Sequence, residues 1–180
     1  LSLHDALPIF APFVDAKQVK VLDKPSLEDA RATLAVPTYL ADKGLKTFAD
    51  IAKFEKELGG KLYGIEPGSG ANTQIKAMIA KNQFGLGKFQ LVESSEAGML
   101  AAVDRAVRRK EAVVFFGWAP HPMNVNVAMT YLTGSEDALG PNEGMATVWS
   151  VTSPTYAEQC PNVHKLLTDR KSTRLNSSHI

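Results

Sequence analysis

The amino-acid sequence predicts an α/β lobe. A strand, a loop and a helix follow one another twice in succession, and the apolar run Ala112 to Phe116 (AVVFF) has the unbroken pattern of a strand buried on both faces. The first unit is the more telling. Lys61 to Ile65 (KLYGI) reads as a strand, Glu66 to Asn72 (EPGSGAN) as a glycine loop, and Thr73 to Lys81 as a helix with Ile75, Met78 and Ile79 on one face. Upstream, Thr33 to Pro37 (TLAVP) is a short extended run stopped by proline. Phe48 to Leu58 has helical spacing and is closed by Gly59 and Gly60.

In the second unit Phe89 to Glu93 (FQLVE) is the strand, and Ser94 or Ser95 caps a helix whose apolar stripe is Met99, Leu100, Val103 and Val107. The basic cluster Arg105, Arg108, Arg109 and Lys110 falls at the end of that helix, where cations complement the helix dipole. It therefore reads as a solvated helix terminus. After AVVFF come Gly117 and Trp118, then two short strands, Met129 to Leu132 and Ala146 to Val151, separated by a loop rich in Gly, Asp and Pro.

Composition narrows the function classes. With 180 residues, 44% of them hydrophobic and 22% charged, the chain has material for one lobe and part of a second. A formal charge of +1 from evenly spread acids and bases gives no nucleic-acid footprint. No apolar run approaches the roughly 20 residues of a membrane span. Cys160 stands alone, so it is either a small buried hydrophobe or half of a disulfide whose partner lies outside this sequence. Leu1 to Ile9 (LSLHDALPI) and Arg170 to Ile180 (RKSTRLNSSHI) lack amphipathic period and resemble translated adapter sequence. His4, His179 and the basic tail are accordingly left out of the functional reading.

Two features carry chemistry. A loop delivering the chain to a helix N-terminus presents backbone N–H groups to a carboxylate, phosphate or hydroxyl oxygen. EPGSGAN lacks the Gly-Lys-Ser/Thr ending of a phosphate loop, the dinucleotide glycine spacing and the wider Gly-x-Ser-x-Gly elbow, so plain turn chemistry competes with ligand binding here. Trp118, followed by Ala119-Pro120-His121-Pro122, is a tryptophan at a strand end beside a stiffened loop. Its indole face suits a cation that cannot donate hydrogen bonds; a core tryptophan is the competing reading. No nucleophile and base set, paired carboxylates or metal-ligand spacing accompanies them, so no catalytic residue, metal or cofactor is expected.

Taken together, LYGIEPG (62–68), VESSEAGML (92–100) and GWAPHPMN (117–124), with Tyr131 to Thr133, Gly140 to Asn142 and CPNV (160–163), resemble the substrate-binding proteins of choline, glycine betaine and carnitine ABC importers. The resemblance runs from about Phe10 to Thr168. It implies a type II periplasmic-binding-protein fold, with one nearly complete lobe plus remnants of the other, and a quaternary ammonium solute held in an aromatic box between lobes. The expected division is 1–9 and 170–180 as foreign ends, 10–34 as a remnant of lobe 1 with the first crossing, 35–147 as lobe 2, and 148–169 as the return crossing and the start of the C-terminal part of lobe 1.

Carried over by position, the resemblance makes Trp118 a cation contact and places Ser69, Gly70 and Asn72 in an oxygen-binding loop. Trp149 becomes a second aromatic and His121 a helper on the ligand's carboxylate. Relatives commonly read Glu-Pro-Gly-Asn-Asp-Gly-Asn where this chain has Ser69, Gly70 and Ala71 before Asn72, and they often carry a tyrosine where Ala32 stands. Backbone donors without the acidic side chain favour a zwitterion, glycine betaine or carnitine, over choline. The resemblance further implies an extracytoplasmic, periplasmic location, a membrane permease as partner, and no enzymatic activity. A binding lobe for another small carboxylated solute is the alternative, with a small-molecule enzyme domain behind it. Phe13, Val19, Val21, Val163, Leu166 and Leu167, outside the main lobe, are expected to be poorly buried.

Overall fold

The computed structural model describes residues 12–136 and 138–169; the two ends read as foreign lie outside this range. The chain forms two compact units. One is Arg31–Gly144, and the other joins the segment through Ala30 to the segment from Met145 onward.

The larger unit is built on a mixed sheet. Its strands are β2 (Leu27–Pro37), β3 (Lys61–Tyr63), β4 (Gln90–Val92), β5 (Phe115–Ala119) and β6 (Met129–Tyr131), in the order β4-β3-β5-β2-β6. A further strand, β7 (Met145–Val148), belongs to the smaller unit, as do the first residues of β2, Leu27 to Ala30. β3 runs parallel to both β4 and β5, whereas β2 is antiparallel to β5 and β6. The parallel arrangement is thus confined to three adjacent strands. That matters for function, because parallel neighbours release the chain at the same end of the sheet, where loops gather.

Alternation along the strands divides the core in two. Leu34, Val36, Val114 and Phe116 point into one apolar cluster with Phe48, Ile51, Leu62, Ile75 and Met78. Ala35, Val113 and Phe115 point the other way, onto Met99, Val103 and Ala106 of the helix Glu96–Arg109. Each fully buried Leu or Phe contributes about 1.5–3 kcal/mol relative to exposure. Both faces of the sheet are therefore fixed before any loop is considered.

Several boundaries differ from the sequence reading. β5 is Phe115–Ala119 rather than 112–116: Val113 and Val114 are covered by packing, but the strand pairing falls on FFGWA, so Trp118 lies inside the strand. The helix after the glycine loop starts at Gly70, three residues earlier than expected, because Ser69 caps it. The helical stretch 48–58 consists of Phe48–Ile51, a tight turn at Ala52–Phe54, and Glu55–Leu58, which Gly59 ends in the left-handed conformation. The expected strand 146–151 is interrupted at Trp149 and Ser150, between β7 and β8 (Val151–Thr152).

In the smaller unit β8 pairs antiparallel with β1 (Lys20–Val21), and the helix Pro161–Asp169 buries none of its residues. Phe13, Val163 and Leu166 are exposed, while Val19, Val21 and Leu167 are partly covered. Cys160 is a half-buried free thiol.

Candidate functional site

The glycine loop leaves β3 at Tyr63 and is tied from inside by Asn72. This side chain is buried, with 1% exposure, and its amide does four things at once. Oδ1 accepts from the Ile65 N–H (3.0 Å), and the two hydrogens of Nδ2 are shared among the carbonyls of Ile65 (2.8 Å) and Glu66 (3.1 Å) and Glu93 Oε1 (3.0 Å). Gly64 has to be glycine here, since a Cβ would run into the Asn72 amide. Ser69 Oγ accepts from the Asn72 N–H (3.3 Å) and so caps the helix Gly70–Ala80. Ser69's own N–H is spent on the Glu66 carbonyl (3.1 Å). The first-turn amides of Gly70 and Ala71 are the donors that helix geometry leaves facing outward.

The next loop along the sheet interlocks with the first. The Ser94 N–H donates to the Ile65 carbonyl (3.2 Å), and Ser95 Oγ caps the helix Glu96–Arg109 by accepting from Gly98 N–H (3.2 Å). The N–H of Glu96, in the first turn of that helix, donates to Glu66 Oε1 (2.9 Å). This bond, first among its influences, holds the Glu66 carboxyl below the usual carboxylate range. Glu93 is likewise held low, chiefly by its 2.9 Å contact with Lys76 Nζ.

From the third parallel strand comes Trp118, part-buried, with its ring against Phe116 (centroids 6.0 Å apart) and against the His121 imidazole (4.8 Å). His121 is fully engaged. Its Nδ1 accepts from the Met123 N–H (3.2 Å), which places the proton on Nε2, and Nε2 sits 3.0 Å from Glu96 Oε1. The Ala119–Pro120 peptide is cis. On the following turn, Asn124 Nδ2 donates to the carbonyls of Trp118 (2.8 Å) and His121 (2.9 Å), while Asn124 Oδ1 accepts from the Tyr131 hydroxyl (2.7 Å). Burial pushes the Tyr131 phenol up, against the opposing effects of Asn124 and of Arg31. The Arg31 guanidinium lies 5.3 Å from the Tyr131 ring centroid and pairs with Glu143 (3.2 Å). Arg31 and Tyr131 thereby back the tryptophan loop with a polar clamp.

The three loops thus meet at one end of the sheet: Glu66 touches Glu96, Glu96 touches His121, and His121 lies against Trp118. The sequence-expected residues fall into distinct roles. Trp118 lies part-buried against His121, and Gly70 opens the helix Gly70–Ala80. Ser69 contributes a helix cap, not a free amide. Asn72, expected as a ligand group, is instead a buried loop anchor with its polar atoms occupied. His121, expected to help bind a carboxylate, has both ring nitrogens taken by Met123 and Glu96. Trp149 belongs to the other compact unit, in the break between β7 and β8. Ala32 pairs directly across from Trp118 in the β2–β5 ladder, so the tyrosine common among relatives would sit beside the indole. Glu66 and Glu96 were not singled out from sequence as site residues, although both lie within the motifs that carried the resemblance. Among the described residues there is no group of His, Cys, Asp and Glu able to hold a metal ion.

The mixed-sheet α/β architecture is that of type II periplasmic binding proteins. Residues 7–178 match the family described as the substrate-binding domain of ABC-type glycine betaine transport systems, OpuAC, and the chain belongs to that family. An ABC-transporter choline-binding protein solved with choline is 45% identical, with a TM-score of 0.79 over 93% of this chain and 57% of that one. Lactococcal OpuAC, closed around glycine betaine, is 22% identical (TM-score 0.74; 90% of this chain, 59% of that one). A glycine betaine/L-proline-binding protein from Borrelia burgdorferi is 21% identical (TM-score 0.72; 93% and 60%). The last two share the fold. The chain spans somewhat under two thirds of the length of each of these structures.

Proposed function

We propose that this chain supplies one wall of the binding site of an ABC-importer solute-binding protein for a quaternary ammonium solute. The observation that carries the reading is Trp118, part-buried at the carboxyl end of β5 and linked through His121 and Glu96 to the glycine loop. A trimethylammonium group cannot donate hydrogen bonds, so it is recognised by an indole face and nearby negative charge, the former contributing about 0.5–2 kcal/mol. Glu96, which faces the His121 ring beside Trp118, supplies that charge. The Gly70 and Ala71 amides at the N-terminus of the helix Gly70–Ala80 favour a carboxylate at the ligand's other end. A zwitterion such as glycine betaine or carnitine therefore fits this chain better than choline, the ligand of the 45%-identical relative. The lobe limits 35–147, the permease partner and a periplasmic location belong to the same proposal. The family's members are extracytoplasmic binding proteins, and no described helix is long and apolar enough to cross a membrane.

The His121–Glu96 pair gives no support to catalysis. His121 and Glu96 look like two-thirds of a triad, but Nδ1 accepts the Met123 amide and Nε2 faces Glu96, so neither nitrogen can deprotonate a hydroxyl.

The test is a fluorescence titration of the 180-residue chain carrying Trp149→Phe, which leaves Trp118 as the sole tryptophan. One wall of a site is expected to bind in the millimolar range, about −4 kcal/mol. Glycine betaine and carnitine should perturb Trp118 emission at lower concentration than choline, and the uncharged isostere 3,3-dimethylbutan-1-ol should not. An equal response to the uncharged isostere, or none to any of the three ammonium compounds, overturns the reading. Choline acting at least as strongly as the two zwitterions overturns the ligand choice.

A further inference from the structure

We propose that Glu96 is the positioning residue of this site: acting through His121, it fixes the orientation of Trp118 relative to the glycine loop. The inference rests on the proposed function for its meaning in binding, though not for its geometry. Three contacts carry it. Glu96 uses its backbone N–H to hold Glu66 Oε1 of the glycine loop (2.9 Å) and its side-chain Oε1 to face His121 Nε2 (3.0 Å). The imidazole so held lies against the Trp118 ring at 4.8 Å and 49°.

His121 cannot choose another arrangement cheaply. The Met123 N–H points at Nδ1, so only the tautomer with hydrogen on Nε2 satisfies both nitrogens, and that hydrogen needs an acceptor where Glu96 stands. The imidazole is largely covered, with 19% side-chain exposure, against 47% for Glu96. Without the carboxylate the ring has lost the contact that sets its rotation, and the Trp118 face packed on it loses its support. The backbone arm of Glu96 remains in any substitution, so the glycine loop stays docked. The distance between the pole that takes a cation and the pole that takes an anion is therefore set by one residue, at the first turn of the helix Glu96–Arg109. Sequence separation hides this: the two partners lie 30 positions before and 25 after.

The experiment uses the 180-residue chain with Trp149→Phe as the parent, alongside the same chain carrying Glu96→Gln or Glu96→Ala. Glutamine keeps an acceptor for Nε2–H without the charge, whereas alanine removes both. Two readouts need no ligand. In the NMR spectrum of the His121 ring, the parent and Glu96→Gln should show the shifts of a ring held in one rotamer, and Glu96→Ala shifts averaged over several. Acrylamide quenching of Trp118 should rise about twofold or more in the alanine variant and be restored by glutamine. A helix-propensity effect would run the other way, since alanine is a better helix former than glutamine. With glycine betaine as probe, the alanine variant should bind roughly fivefold more weakly, the loss expected for one hydrogen bond. Unchanged quenching and unchanged His121 ring shifts in Glu96→Ala overturn the positioning role. If the ligand-free signals shift as expected but glycine betaine leaves the parent's Trp118 emission unmoved, the positioning role stands and the proposed function fails.

Discussion

Replacing Asn72 by alanine removes the anchor of the glycine loop, and its cost follows from the four hydrogen bonds of the amide. Three of the partners keep another contact. The Ile65 carbonyl still accepts from Ser94 N–H, the Glu66 carbonyl from Ser69 N–H, and Glu93 still pairs with Lys76. The Ile65 N–H is left with nothing to replace Oδ1. An orphaned buried donor costs about 1–3 kcal/mol and each bond lost with a surviving partner somewhat less, so a total of about 3 kcal/mol is expected. For a chain of this size that lowers Tm by roughly 6–12 °C in a circular dichroism melt. Asn72→Asp is the sharper variant. It keeps the acceptor for Ile65 N–H but turns an anionic oxygen toward two carbonyls and the Glu93 carboxylate. At neutral pH it should destabilise at least as much as alanine, and it should recover in acid as protonation restores a donor. Gly64→Ala adds a double-mutant test: its Cβ collides with the Asn72 amide, so its cost should shrink once residue 72 is alanine. A melt within about 2 °C of the parent for Asn72→Ala, or additive costs in the cycle, refutes the anchoring argument.

Two further predictions concern the sheet and its flanking helix. At Gly117 an added Cβ would stand 2.9 Å from Met129 Cε and 3.2 Å from both Ala35 Cβ and Tyr131 Cε1, so Gly117→Ala should destabilise by about 1–3 kcal/mol in urea unfolding. A change below a few tenths would show that β6 can yield freely. Asp50 accepts from Lys53 Nζ (2.8 Å), Thr47 Oγ1 (2.7 Å) and Thr47 N–H (2.9 Å), and Lys53 first, then Thr47, holds its carboxyl well below the usual range. A value depressed by folding contributes stability that is present above the unfolded-state pKa, near about 4, and lost as pH falls below it. Asp50→Ala should therefore cost about 1 kcal/mol at neutral pH, a capping loss, with the gap to the parent closing in stronger acid. A gap that stays constant from neutral pH down to the acid transition contradicts it.

What the sequence made legible was local. Ser94 or Ser95 read as a helix cap, Gly59 as a stop, and KLYGI and FQLVE as strands, because capping, glycine and alternation act within a few residues. AVVFF was read as the strand itself since burial and pairing usually coincide; here Val113 and Val114 are buried by packing while pairing begins at Phe115. The first half of β2, LEDARA, is polar and partly exposed, so its extension beyond Thr33 to Pro37 left no apolar signature. The antiparallel placement of β2 inside the sheet has no local signal either. For the site, residue type singled out Trp118, Asn72 and His121, but it could not show that the hydrogen-bonding capacity of Asn72 and His121 is taken up by partners elsewhere in the loops. Glu66 and Glu96 carry the same lesson, since only the joint occurrence of LYGIEPG, VESSEAGML and GWAPHPMN hinted that these segments meet.

The position of β2 also has a consequence for how the lobe comes into being. This strand pairs with β5 on one side and β6 on the other, yet it is synthesised long before either. As the chain emerges, the two strand–loop–helix units following β2 can begin to pack locally, while both long edges of β2 wait for partners. Closing such distant pairs is slow compared with local helix formation. During that interval the apolar stretch Leu34 to Val36, later covered on both faces, is bare, and the nascent lobe depends on dilution or on chaperones until Phe115 to Ala119 arrives to zip against it.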